Sequence, residues 1–285
     1  MSSRERFVVG GSGLRLHLVE WGEGERVVVL LHGFLEHARV WDWVAPRLAA
    51  AGYRAAALDW RGHGDSDWVG AGGYYHFADY VADLAAVVRA LGGRAALVAH
   101  SMGASAALLY AGTEPERVTA LACVDALGPP DMPPASAPAR FATWIADVGR
   151  VHERGRRALA SADPAARLRE RFPRFPAAAA ERLATHGTRM DDGARVWKFD
   201  PLHQTTSPQP YYLAQAREFW RRIACPVLYV DGAESGLRLD PADIAERLAV
   251  LRARHVTVEA AGHHPHVERP DAFADVVIRF LADAR

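Results

Sequence analysis

The stretch ALVAHSMGAS, residues 96–105, decides how this chain is interpreted. An apolar run typical of a buried strand leads to His100 and Ser101, and a run of small residues typical of a helix follows. Ser101 would then lie at the apex of a sharp strand-to-helix turn, the arrangement that exposes a nucleophilic serine. Such a turn needs small residues two positions before and after the serine, and Ala99 and Gly103 stand there. The usual pattern is G-x-S-x-G, so Ala99 is a mild departure, and the stretch alone would also suit an ordinary strand-to-helix turn.

Strand-like and helix-like runs alternate on both sides of this turn. RVVVLLHG, residues 26–33, is continuously apolar, which suits a central parallel strand buried on both faces. Residues 76–91 repeat apolar side chains at three- and four-residue steps, which predicts a helix, and VWDWVAPRLAAAG at 40–52 predicts another. FVVG and LRLHLVEW near the start of the chain predict an antiparallel hairpin. We therefore expect an α/β fold with a mostly parallel twisted sheet covered by helices on both faces.

The alternation stops in the middle of the chain and resumes at Cys225. ALGPPDMPPASAPAR, residues 126–140, is too rich in proline for the interior of a sheet or helix. Residues 139–222 contain helix-like pieces and no convincing strand. The chain is thus predicted to have a core domain formed by residues 1–128 and 223–285, with residues 129–222 inserted as a helical cap.

Charge and composition exclude several functions. The 34 Lys and Arg residues balance the 34 Asp and Glu residues, so no net field favours nucleic acid or an anionic membrane as a partner. The N-terminal residues lack the apolar segment of a signal peptide, and no 18-residue apolar span occurs, so we expect a cytoplasmic protein. The two cysteines, Cys123 and Cys225, stand beside apolar runs and predict buried free thiols without a metal site.

Four motifs together resemble the α/β-hydrolase fold family, in its group with a helical cap. They are the Ser101 turn, LLHGFLEHARVW after the third strand, LDWRGHGDSD after the fourth and AAGHHPHVERPDAF after the last. The resemblance covers residues 7–128 and 223–285. Residues 129–222 match only in being an insertion at the place where caps occur in that family.

This resemblance implies roles for individual residues. Ser101 would be the nucleophile and His263 its base, while the N–H groups of Phe34 and Met102 would bind the oxyanion. The H-G-F run differs from the HGGG run of one lipase branch. The remaining polar residues of the motifs are expected to brace the loops: His32, His264, His266 with Glu268, and a charge pair between Asp59 and Arg61.

The carboxylate partner of His263 is the open question. In most relatives the acid stands three residues after the glycine that ends the PVLYVDG strand, and here that position is Ser235. Asp125, at the end of an earlier strand, is the favoured replacement because a minority of relatives carry the acid there. Glu234 is the alternative, and Asp231 is a third choice.

The expected function is hydrolysis of a carboxylic ester or related acyl bond in a small-molecule substrate, with no metal or organic cofactor. Carboxylesterase is the default. Lactonase, thioesterase, carbon–carbon bond hydrolase and perhydrolase share the same residues, and fold alone does not separate them. The epoxide hydrolases and haloalkane dehalogenases of this fold carry Asp at the turn, not Ser. A different class stays open, a non-catalytic ligand-binding protein on a hydrolase scaffold. Nothing in the sequence indicates the oligomeric state.

Overall fold

The computed structural model describes residues 2–155, 157, 160–237 and 239–284. Eight of its ten strands form one sheet in the order β1-β2-β4-β3-β5-β6-β9-β10, and β7 and β8 form a separate pair. The strands are β1 Arg4–Val9, β2 Arg15–Trp21, β3 Arg26–Leu31, β4 Tyr53–Leu58, β5 Ala95–His100, β6 Val118–Val124, β7 Thr188–Asp191, β8 Ala194–Trp197, β9 Val227–Gly232 and β10 Arg254–Val258.

The pairing of these strands is parallel from β4 to β10, with an antiparallel edge formed by β1 and β2. The predicted hairpin and the mostly parallel sheet are therefore confirmed. The ends of β3, β5, β6 and β9 meet along one edge of the sheet, because parallel neighbours run in the same direction. This edge is where α/β sheets place their sites.

Helices pack on both faces of the sheet, as predicted. Along β3, Val29 and Leu31 belong to one buried cluster while Val28 and Leu30 belong to the other, because successive side chains point to opposite faces. The helices are α1 Ala45–Ala50, α2 Phe77–Ala90, α3 Met102–Thr113, α4 Ala137–Arg154, α5 Pro164–Arg171, α6 Ala177–Gly187, α7 Leu213–Trp220, α8 Pro241–Leu251, α9 Pro265–Glu268 and α10 Pro270–Asp283.

Two local predictions are wrong. The helix expected over residues 40–52 is divided into a 3₁₀ turn at Ala38–Trp41 and α1, since Pro46 lacks the N–H that a continuous helix needs there. Residues 139–222 are predicted to contain no convincing strand, yet β7 and β8 pair there as a hairpin. Asp192 and Gly193, both at positive φ, form its turn, and Asp-Gly is the sequence signal for such a hairpin.

The two cysteines and the lengths of the helices can be compared with the sequence predictions. Cys123 is buried, Cys225 is partly buried, and both are free thiols. Within the part of the chain that the structure describes, no helix combines the length and apolarity needed to cross a bilayer.

Candidate active site

The turn between β5 and α3 holds Ser101 in a strained backbone conformation. Its φ is 51° and its ψ is −115°, a region that residues with a Cβ seldom adopt. The turn is possible because Gly103 lies against the end of β3, where a Cβ would come within 2.7 Å of the His32 carbonyl oxygen. The Ser101 N–H donates to the Val124 carbonyl at 3.0 Å, which fixes the turn to the end of β6. Ser101 remains partly exposed.

Hydrogen bonds connect a serine, a histidine and an aspartate across three loops. His263 lies between β10 and α9, with its Nε2 3.2 Å from Ser101 Oγ and its Nδ1 2.5 Å from Asp125 Oδ2. Asp125 directly follows β6 at a positive φ of 49°, and its side chain is only 1% exposed. Because the carboxylate can only accept, Nδ1 donates to it and Nε2 is left to accept the Ser101 proton.

The three candidate acids are placed very differently. Asp125 contacts His263, whereas Glu234 is 55% exposed and pairs with Arg174 at 2.6 Å. Asp231 lies 3.1 Å from the His255 ring. Ser235, at the usual acid position, donates from Oγ to Asp125 Oδ2 at 2.6 Å. The sequence analysis did not predict this contact. The available signal was the serine at the usual acid position, because a hydroxyl there can donate to a carboxylate that comes from a different loop.

The two N–H groups expected to bind an oxyanion lie at neighbouring strand ends. Met102 is the first residue of α3 and Phe34 follows β3, and β3 pairs with β5 up to Leu31 and Ala99. The positive end of the α3 dipole adds to the attraction for negative charge at this place. Leu35, at a φ of 62°, turns the chain after Phe34.

A partly buried carboxylate that the sequence analysis did not identify, Glu36, holds the Phe34 loop in place. Glu36 Oε2 accepts from the Gly33 N–H at 2.7 Å and from His100 Nδ1 at 3.2 Å. Its Oε1 accepts from His264 Nε2 at 2.8 Å. Glu36 thereby connects the Phe34 loop to the residue before Ser101 and to the residue after His263. The sequence signal for this role was the position of Glu36 three residues after Gly33, from which its carboxylate can accept the Gly33 N–H.

The ionisation of this cluster follows from its partners. His100 donates from Nδ1 to Glu36 and from Nε2 to the His263 carbonyl at 2.9 Å, so it carries both protons. Burial opposes charge on both groups, but their mutual attraction raises the pKa of His100 above its ordinary value and holds the pKa of Glu36 well below its own. The contacts and these pKa directions both favour an ion pair between His100 and Glu36, beside the histidine that serves Ser101.

His32 and Glu268 hold the loops of the site through hydrogen bonds to the backbone. His32 donates from Nδ1 to the Gly33 carbonyl at 2.7 Å and accepts from the Trp60 N–H at 3.1 Å, as expected of a brace. Glu268 accepts from the Gly262 N–H at 2.6 Å and so holds the His263 loop. His266, expected to brace this loop with Glu268, stacks on Trp41 with ring centres 4.4 Å apart.

The expected charge pair between Asp59 and Arg61 is wrong. Arg61 donates to Asp83 of α2 at 2.6 Å, and Asp59 accepts from His17 Nδ1 of β2 at 2.8 Å. The turn after β4 sends the two side chains toward different elements, so their proximity in sequence is misleading.

Two groups of side chains have the composition of a metal site among the described residues. One is Glu36, His100 and His266, and the other is His17 with Asp59 and Asp65. In the first group His100 donates to Glu36, and in the second His17 donates to Asp59. These contacts account for the placement of the ligand atoms without an ion, and we assign no metal to either group.

Buried neutral histidines predict how stability changes with pH. Burial lowers the pKa of His32 and of His264 to about 4, against 6.5 in an unfolded chain. Between pH 6.5 and 4 the unfolded state therefore binds more protons, and stability falls as the pH falls through this window. His100 has a raised pKa, so its contribution is already complete below pH 6.5 and does not oppose the trend.

The check is the thermal unfolding midpoint measured between pH 7.5 and 4 at constant ionic strength. We expect a fall that begins near pH 6.5, and a smaller fall in a His32→Gln variant, which cannot take up the proton. A midpoint that stays constant from pH 6.5 to 4.5 would contradict the assignment of neutral buried histidines.

Comparisons with known proteins identify the family of this chain. A family model described as the alpha/beta hydrolase family matches residues 28–276. A serine hydrolase-like protein of Dictyostelium discoideum is 24% identical over 294 residues, which cover 96% of this chain and 80% of the relative. Epoxide hydrolase A of Mycobacterium tuberculosis is 30% identical over 320 residues, with 96% of each protein covered. Among solved structures, the thioesterase domain from the curacin biosynthetic pathway has a TM-score of 0.87 at 28% identity, covering 98% of this chain and all 100% of that domain.

Proposed function

Because the chain belongs to the alpha/beta hydrolase family, we propose that it is a serine hydrolase that cleaves a carboxylic ester or related acyl bond through an acyl-enzyme intermediate. The observation that carries the proposal is the continuous set of hydrogen bonds from Ser101 through His263 to Asp125. A serine hydroxyl is a weak nucleophile at neutral pH and needs such a base to remove its proton during attack.

The reaction would proceed in two halves. Ser101 Oγ attacks the substrate carbonyl carbon while its proton passes to His263 Nε2, and Asp125 stabilises the resulting imidazolium. The oxyanion accepts from the N–H groups of Phe34 and Met102. His263 then returns the proton to the leaving group, and the acyl group stays on Ser101. In the second half His263 removes a proton from water, which attacks the acyl-enzyme and releases the acid.

The serine argues against the epoxide chemistry named for one relative. A serine that opened an epoxide would form an ether, which has no carbonyl for water to attack, and the enzyme would stop after one turnover. An ester formed on Ser101 does have that carbonyl, so the cycle can close.

Thioester hydrolysis is the second candidate, favoured by the likeness to a thioesterase domain over nearly the whole chain. Its chemistry requires the same groups, since the acyl-enzyme is identical and only the leaving group differs. Paired oxygen ester and thioester substrates with the same acyl chain separate the two candidates by their kcat/KM values.

Covalent labelling tests the proposal against a non-catalytic binding protein. A fluorophosphonate probe should label the protein within minutes at neutral pH, because only a serine activated by a base reacts quickly, and digestion should locate the adduct on Ser101. The Ser101→Ala variant should stay unlabelled, while Ser105→Ala, one turn further along α3, should label as the wild type does. Absence of labelling in the folded wild type would favour the binding protein.

A further inference from the structure

A cavity begins at the loop that carries Phe34 and extends beneath the inserted segment. Its volume is about 380 Å³, within the range of small-molecule sites. Phe34, Leu35 and Glu36 line it, whereas Ser101 and His263 do not. The proposed oxyanion donor Phe34 therefore links this cavity to the proposed place of the reacting carbonyl.

Apolar and polar groups contribute about equally to the cavity wall. Phe172, Phe175, Leu168, Leu183 and Trp197 contribute side chains from α5, the chain after it, α6 and β8. These side chains suit the hydrocarbon part of an acyl group, because contact with them removes apolar surface from water.

Three cations also line the cavity. Arg167 and Arg171 are four residues apart in α5 and so share one face of it, and Lys198 follows β8. Lys198 Nζ is 2.7 Å from Asp65, and Arg167 is 2.9 Å from the exposed Glu170.

Arg171 differs from the other two cations. Within the described part of the chain, no carboxylate lies within ion-pair distance of it, and its guanidinium lies 5.2 Å from the centre of the Phe172 ring. The acid in the lining is Glu36, which His100 and His264 already engage. The cavity therefore combines apolar side chains with an exposed arginine that has no carboxylate partner among the described residues.

We propose that this cavity holds the acyl part of the substrate and that the acyl chain ends in an anionic group, a carboxylate being the simplest, which Arg171 binds. The inference rests on the proposed function, since it takes the Phe34 loop as the place of the reacting carbonyl. A planar guanidinium can donate two parallel hydrogen bonds to a carboxylate.

The test compares two esters of equal chain length. These are 4-nitrophenyl hexanoate, which is neutral, and mono-4-nitrophenyl adipate, whose acyl chain ends in a carboxylate. The wild type should show a kcat/KM about tenfold higher for the adipate, mostly through a lower KM, and the preference should shrink as salt is added. The ratio of the two kcat/KM values should fall about tenfold in Arg171→Gln.

Arg169→Gln is the matched control, because Arg169 belongs to the same helix but is not part of the cavity lining. It removes the same charge, so its ratio should stay at the wild-type value. Equal kcat/KM values for both esters in the wild type, or an equal loss of preference in both variants, would overturn the proposal.

Binding to the Ser101→Ala variant separates this inference from the proposed function. If ester hydrolysis persists in that variant, the serine mechanism fails. Calorimetry with monomethyl adipate and methyl hexanoate then decides the anion site by itself. Tighter binding of the adipate that is lost in Ser101→Ala/Arg171→Gln supports the site, and equal binding of both esters overturns it.

Discussion

Replacing Ser101 by alanine is expected to lower the kcat for 4-nitrophenyl esters by about 10⁵-fold or more. The variant keeps the oxyanion donors and the cavity, so residual rate over water remains, but no acyl-enzyme can form. Loss of the serine of such a triad costs about as much as loss of all three residues, which is why the effect greatly exceeds that of a single lost hydrogen bond. Steady-state kinetics on esters of rising acyl length measure it.

The control for this prediction is Ser105→Ala, which removes a hydroxyl from the same helix. Ser105 is buried and lies one turn beyond the strained position. Its kcat should stay within about threefold of the wild type, and the unfolding midpoints of both variants should stay near that of the parent. Ester turnover that survives in Ser101→Ala would place the reaction at another residue.

Asp125→Asn is expected to reduce kcat by about 10⁴-fold while leaving the fold intact. The asparagine amide can donate to His263 Nδ1, which favours the tautomer whose proton lies on Nε2. Nε2 could then no longer accept the Ser101 proton, and the imidazolium would also lose its counter-ion. The pH dependence of kcat/KM, measured together with the magnitude of the loss, records both effects.

Glu234→Gln is the matched control, because it neutralises the other candidate acid. Glu234 is paired with Arg174 and not with His263, so its variant should keep kcat within about twofold. A large loss in Glu234→Gln with normal turnover in Asp125→Asn would reverse the assignment of the acid.

Ser235 permits a stricter form of this test. Its Oγ lies 2.6 Å from Asp125 Oδ2, so a carboxylate at 235 would lie near His263 Nδ1. The double variant Asp125→Ser/Ser235→Asp exchanges the two groups, and it should recover at least about tenfold in kcat over Asp125→Ser alone. No recovery in a correctly folded double variant would mean that the backbone at 235 cannot orient the carboxylate toward the ring.

Elements with long and regular patterns could be predicted from the sequence. The helix expected at residues 76–91 is observed at Phe77–Ala90, and the apolar run at 26–33 forms the buried strand Arg26–Leu31. Short elements were not predicted, and the two four-residue strands of the β7–β8 hairpin are the example. Four residues are too few for an alternating pattern of apolar and polar side chains to distinguish a strand from a loop. The Asp-Gly pair at the turn was therefore the better sequence signal for this hairpin.

The sequence by itself determined the family resemblance, the turn at Ser101 and the placement of His263 directly after Gly262. Each is a local pattern: small residues permit a strained turn, and a short motif follows a strand. The choice among Asp125, Glu234 and Asp231 was not local, since Asp125 and His263 are 138 positions apart. Only the parallel pairing of β6, β9 and β10 brings those loops together, and a hydrogen bond of 2.5 Å depends on that packing. The same holds for Glu36, Ser235 and Arg171, whose partners and surroundings exist only in the folded chain.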